Sequence, residues 1–384
     1  MRHFDNLTGA DEGRLFALPP QPFTAADDPA VLGLALGATL YSPATRPALA
    51  TDVARNRAAG VLSAVLCLED AIADADVPAA EQNVVAQLHE LAATAPDGPL
   101  LFIRVRSPEQ VPAIVAGLGS DLNVLTGFVL PKFTATTGPA FLAEVVAASE
   151  RTGRLLRVMP VVESPEVAHL ETRAAALLGI RDLLAAHREH VLAVRIGATD
   201  LSATYGLRRS RELTVYDVRV LADTIADIVN VLGRADGTGH VITGAVWEYF
   251  SSPERLFKPQ LRQTPFDEHQ ERALRTELIR RDLDGLIREV VLDRANGLSG
   301  KTVIHPSHVA AVHALSVVTH EEHSDAVAVL GTGAAGGVAA SAFRNKMNES
   351  KPHTAWALQT LRRAQVFGVA HPTTSFVDLL GAAL

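Results

Sequence analysis

The sequence predicts an α/β protein built as one (β/α)8 barrel, the TIM-barrel architecture, with a C-terminal helical extension. Three observations predict it. Short aliphatic runs alternate with amphipathic segments along most of the 384 residues. The runs are apolar throughout, as strands buried on both faces of a parallel sheet must be. Roughly eight strands and eight helices fit into about 280 residues, the size of such a barrel. The competing open, doubly wound sheet normally carries a Gly-rich first turn, whereas here the first turn reads YSPATRP (41–47).

In chain order the strands are expected at Leu36–Ser42, Val61–Leu68, Leu100–Val105, Gly127–Pro131, Leu155–Val162, Leu192–Ile196, His240–Trp247 and Thr302–Ile304. Most are closed by Pro, Gly, Asp or Ser, which punctuate strands. Helices are expected at Pro47–Ala59, Pro78–Ala95, Pro108–Leu118, Pro139–Thr152, Pro165–His187, Val215–Leu232, Glu271–Ala295 and Pro306–Leu315. Several begin at a proline, whose fixed φ and missing N–H suit a first helical turn. This divides the chain into a lead (1–35), the barrel (36–318) with a polar insertion at 249–269, and the extension (319–384). The insertion follows the seventh strand and so falls on the face where barrel active sites sit; it reads as a lid or as a surface loop. In the extension, Glu321–Val329 and Trp356–Val366 read as helices around the sequence GTGAAGG (331–337). That loop lacks the Lys-Ser/Thr of a P-loop and reads as a hinge.

Composition narrows the function classes. A net charge of −8 gives no basic surplus for nucleic acid. The single Cys67 cannot form an internal disulfide, and a cytoplasmic setting follows most simply. No apolar run suits a membrane span, and the acidic N-terminus does not read as a signal peptide.

Chemistry in a barrel sits at the strand C-termini. These ends carry Glu69 and Asp70 (strand two), Arg104 and Arg106 (three), Lys132 (four), Glu163 (five), Asp200 (six), Glu248 (seven), and His305 and His308 (eight). Charges rarely lie unpaired at buried strand ends. Glu69, Asp70, Glu163, Asp200 and Glu248 converging on one mouth suit a hard divalent cation, Mg²⁺ or Mn²⁺, whose ligands are carboxylate oxygens. The alternative is a network of ion pairs that closes the barrel top. No His/Cys cluster has zinc spacing. Lys132 reads as an ion-pair or substrate-carboxylate partner before a Schiff-base lysine. Lys301 is expected near the start of strand eight, away from the mouth, and His305 as a structural histidine. No G-x-S-x-G elbow points to a nucleophilic hydrolase.

Taken in order, VLCLEDAI, FIRVRS, FVLPKF, MPVVESPEV, RIGATDLSATYGL and GKTVIHPSHVAAV resemble the HpcH/HpaI aldolase and citrate lyase β-subunit superfamily, from about Tyr41 to His308. FRNKMNESKPHTAWALQTLRRA resembles its C-terminal segment. Chain length and the strand-seven insertion resemble the branch of TIM-barrel C–C bond lyases associated with tellurium-resistance and stress gene clusters. The resemblance implies Mg²⁺- or Mn²⁺-dependent cleavage or formation of a C–C bond in a small oxo/hydroxy acid or its coenzyme A thioester. It implies Glu163 and Asp200 as metal ligands and Arg104 as the group that holds the substrate and stabilises the enolate. Asp70 and Glu69 would stand beside the metal, Arg46 and Lys132 near the substrate, and Glu349 at the position of a C-terminal acid that moves a proton. It further implies a homotrimer or hexamer in which the C-terminal extension packs on a neighbouring subunit. Cys67, Arg106 and Ser164 depart from the family patterns, which puts substrate choice and the use of coenzyme A in question. Two other readings remain: a lyase acting on a specialised metabolite of a biosynthetic or stress cluster, and a non-catalytic metabolite-binding barrel.

Overall fold

Eight parallel strands close on themselves: β1 (Ala38–Pro43), β2 (Ser63–Cys67), β3 (Leu100–Arg104), β4 (Gly127–Leu130), β5 (Arg157–Val162), β6 (Val194–Ile196), β7 (Ile242–Trp247) and β8 (Ser299–Val303). The computed structural model describes residues 1–95, 97–250, 283–331 and 337–383. Each strand pairs with its sequence neighbour, and β1 closes the ring on β8 through Ala38 opposite Lys301 and Thr39 opposite Thr302.

The pleat explains why the strands read as unbroken apolar runs. Outward residues such as Leu66, Ile103, Phe128, Leu130 and Val162 pack under the helices. Inward residues such as Val65, Phe102, Val129, Met159 and Val161 fill the barrel. Both faces are therefore dry, and no polar alternation survives. The expected Pro165–His187 helix is two helices, Pro165–Ala168 and Leu170–Ala186, because His169 adopts an extended conformation between them. Of the helix expected over 271–295, Leu283–Ala295 is helical, and residues 271–282 lie outside the described residues. The insertion at 249–269, beyond Tyr249 and Phe250, and positions 332–336 of the GTGAAGG segment lie outside the described residues.

The lead and the extension are knitted together at the barrel floor. In the lead, Asp28 caps helix Pro29–Ala35, which begins at a proline. In the extension, helices His320–Gly331 and Ser350–Phe367 pack on each other, and the latter also packs on Pro29–Ala35. Phe16–Leu18 pairs antiparallel with Val369–Ala370. His3 and His313 are buried between these parts, with ring centroids 4.5 Å apart, beside Phe367. His3 Nε2 bonds the Ala35 carbonyl, and His313 Nε2 accepts the Ala38 N–H. Among the described residues no helix is long and apolar enough to cross a membrane.

Lys301 lies in the middle of β8, not near its start, because that strand begins at Ser299. It is fully buried and points outward to helix Leu283–Ala295. There its Nζ contacts Glu289 (2.5 Å) and Asp293 (2.7 Å). Tyr216 donates to Asp293 from the other side, and Arg209 pairs with Glu289.

Two predictions follow from this packing. Burial lowers the pKa of His3 to about 3 and puts His313 well below the usual histidine range. The unfolded chain therefore takes up protons below about pH 6.5 that the folded chain refuses. The stability tied to the neutral His3 ring is complete above about pH 6.5 and falls by about 2 kcal/mol by about pH 5. Tm should thus drop less between about pH 7 and pH 5 in His3→Phe than in the native protein; parallel curves would contradict this. Lys301→Met leaves Asp293 buried without a cation and Glu289 with Arg209 alone, and urea unfolding should show a loss of about 3–5 kcal/mol.

Candidate active site at the barrel mouth

Because all strands run the same way, their C-termini form one rim, and five of them deliver the clustered charges. Arg104 is the last residue of β3, and Glu163 follows β5 directly. Glu69 and Asp70 stand just beyond β2, and Lys132 just beyond β4 in a left-handed conformation (φ 46°) that costs a non-glycine residue about 1 kcal/mol. Asp200 lies on helix Ala198–Ala203, which follows β6.

Arg104 is the hub. One of its terminal nitrogens reaches Glu69 (2.8 Å) and Glu163 (2.9 Å), with Asp70 at 3.7 Å. Its Nε is buried without a hydrogen-bond partner among the described residues. Lys132 Nζ lies 2.6 Å from Glu69, 3.3 Å from Asp70 and 4.0 Å from Asp200. Burial alone would depress the Lys132 pKa, yet Glu69 and Asp70 raise it, so the amine stays an ammonium. A permanently charged amine fits an ion-pair or substrate-carboxylate partner better than a Schiff-base nucleophile. Arg106 donates to the carbonyls of Leu68, Glu69 and Ile72 and pairs with Asp74, which holds the loop that presents Glu69.

Glu163 is the most constrained carboxylate. Its Oε1 accepts from Arg104 and from the Lys132 backbone N–H, both at 2.9 Å. Its Oε2 has no hydrogen-bond partner among the described residues and packs against Gly197, where any Cβ would collide with it. Burial, opposed by Arg104 and reinforced by the charge of Asp200, raises the Glu163 pKa to about 7. The side chains of Glu163 (1% exposed) and Asp200 (31%) line one cavity of about 550 Å3.

The donor set fits a hard divalent cation. Two carboxylates repel each other across an opening, and one keeps a free oxygen. No group of three or more His, Cys, Asp or Glu residues arranged for a metal occurs among the described residues. The pair therefore suits an ion completed by water or substrate, as Mg²⁺ usually is.

The structure brings Glu69, Asp70, Arg104, Lys132, Glu163 and Asp200 together. Arg46 stays apart: it pairs with Asp52 and lines a smaller neighbouring cavity with Tyr41 and His305. His305 is exposed, bonds Ser307 and stacks on Phe250. Glu349 is not at the mouth of its own chain. It is exposed and starts the Ser350–Phe367 helix, whose Ala355 and Leu358 share a floor cavity with Leu192, Ile242 and Ser299 near the strand starts. Glu248 does line the mouth cavity, held by Thr199 (3.2 Å) and Arg209 (3.3 Å).

Strand-end reasoning missed Tyr41 and Arg195, which line the same cavity from inside the barrel. The sign of Arg195 was a cation placed within an otherwise aliphatic strand.

Comparison with curated proteins finds no match. Among solved structures, a citrate lyase from Burkholderia xenovorans shares the fold at TM-score 0.61 and 16% identity, covering 90% of this chain and 96% of that one. The protein CitE from Mycobacterium tuberculosis, in complex with magnesium, acetoacetate and coenzyme A, does so at TM-score 0.52 and 22% identity, covering 85% and 97%. The family model for the C–C bond lyase of the TIM-barrel fold matches residues 30–369, the barrel and most of the extension, so the chain belongs to that family of carbon–carbon lyases.

Proposed function

We propose that the mouth binds Mg²⁺ (or Mn²⁺) through Glu163 and Asp200. There the protein cleaves or forms a C–C bond in a small oxo/hydroxy acid or its coenzyme A thioester. One observation carries this reading: Glu163 has one oxygen fixed by Arg104 and Lys132 and the other left free, facing the cavity shared with Asp200. The magnesium complex of CitE, a protein of the same fold, fits the reading. When bound, the cation supplies Lewis-acid polarisation of a substrate oxygen.

The chain's own groups do the rest. Breaking a bond next to a carbonyl leaves an enolate, and Arg104 lies where that charge develops. Its guanidinium keeps its proton at any working pH and offers forked donors, held in place by Glu69 and Glu163. Lys132 neutralises Glu69 and Asp70, so the acidic rim does not repel an anionic substrate. Asp70, half exposed at the rim, is the nearest carboxylate with room to exchange a proton with substrate.

Glu349 can serve a mouth only on a neighbouring subunit, so its role requires a homotrimer or hexamer with exchanged extensions. Light scattering gives the mass. In a monomer, Glu349→Gln should leave turnover unchanged.

The direct test of the reaction is turnover on a panel of 2-oxo acids, hydroxy acids and acyl-CoA thioesters. EDTA should abolish activity and Mg²⁺ restore it. Glu163→Gln and Asp200→Asn should each lower kcat by about 10²–10³. Full activity of the chelated protein would sink the proposal. Arg104→Lys keeps the charge but loses the fork, and should lower kcat more than it raises KM.

A further inference from the structure

Arg195 is a buried charge at the mouth cavity that the lyase reading leaves without a role. It sits in the middle of β6, with 1% of its surface exposed, and its side chain lines the floor of the mouth cavity. All of its partners are neutral. Its guanidinium donates to Thr39 (3.3 Å), to the Met159 sulfur (3.6 Å) and to Thr302. It also lies 5.3 Å from the centre of the Tyr41 ring. Among the described residues no carboxylate lies within ion-pair distance of it. Arg104, of the same sign, adds to the cost of the Arg195 charge. Tyr41 cannot compensate, because burial raises its pKa and keeps it a neutral phenol.

Arg104 meets Glu69, Asp70 and Glu163, and so enters the cavity already balanced. Arg195 enters it unbalanced. A buried cation with no counter-charge is costly, and a fold keeps one where a ligand supplies the missing charge. The cavity wall beside it (Val161, Ile196, Val246 and Ile304) is aliphatic, which strengthens any ion pair formed there.

We propose that Arg195 binds a second carboxylate of the substrate at the cavity floor, beneath Arg104 and the Glu163–Asp200 pair. The substrate is then a compact diacid, or the diacid part of a thioester. One acidic or carbonyl end is held at the rim, and the other carboxylate is turned down into the barrel and met by the forked donors of Arg195, with Tyr41 and Thr302 beside it. This rests on the lyase reading of the mouth and names the substrate class for it. Arg195 is a binding and specificity residue and takes no part in proton transfer.

The test compares chain-matched ligands by thermal-shift and calorimetric titration, with Mg²⁺ held constant: 2-oxoglutarate against 2-oxovalerate, and oxaloacetate against 2-oxobutyrate. The native protein should prefer at least one diacid by about tenfold or more. Arg195→Met should bring that ratio to about one by losing diacid affinity alone, while raising the ligand-free Tm, because the unpaired charge is gone. Should Arg195→Met fail to fold, Arg195→Lys decides: it should keep the preference at several-fold weaker diacid affinity. An unchanged ratio in either variant overturns the proposal. So does an equal, Arg195-dependent shift with chloride, which would mark an inorganic-anion site. A preference that depends on Arg195 in a protein without lyase turnover would keep this inference and sink the lyase reading. Metal-dependent turnover on monoacids, indifferent to Arg195, would do the reverse.

Discussion

The mouth is organised by the split anchoring of Glu163. A closed parallel barrel sends every strand end to one rim, so carboxylates delivered by different strands must crowd. Glu163 resolves the crowding by giving one oxygen to Arg104 and the Lys132 N–H and leaving the other free against Gly197. Arg104 then fixes Glu69, Glu69 fixes Lys132, and Lys132 reaches toward Asp200. Each charge has a reason for its place. The remaining imbalance is the repulsion between Glu163 and Asp200, which an added cation would relieve.

Below the rim the barrel separates two kinds of buried charge. The Lys301–Glu289–Asp293 group lies outside the strands, under helix Leu283–Ala295. With Arg209, which pairs with Glu289, the two cations match the two carboxylates, and the group joins β8 to its helix. Arg195 lies inside the strands with neutral partners and opens onto the cavity. The two buried cations thus differ in the face of the pleat they occupy and in whether a counter-charge is already present.

Much of this was legible in the sequence. Strand placement followed from apolar runs closed by Pro, Gly and Asp, and charged residues at or shortly after the ends of those runs reached the rim: Glu69, Arg104, Lys132, Glu163 and Asp200 all meet there. What local pattern could not reveal was partnership across the barrel. Arg46 looked substrate-facing but is engaged by Asp52, six residues on, where the following helix turns it aside. Lys301 was misplaced by a few residues because Ser299 and Gly300 carry no β-strand preference. Arg195 escaped because the reading looked past the end of β6 and not along its inner face. Glu349 depended on tail placement, and within one chain the tail packs on the floor helix Pro29–Ala35.

The central claim is that Glu163 and Asp200 together form a divalent-cation site. The most direct measurement is electron paramagnetic resonance of Mn²⁺ titrated into the purified protein, which counts bound ions without reference to any substrate. The account predicts one tightly held Mn²⁺ per chain, displaced by Mg²⁺ and lost in both Glu163→Gln and Asp200→Asn. Native stoichiometry and affinity in both variants would contradict it.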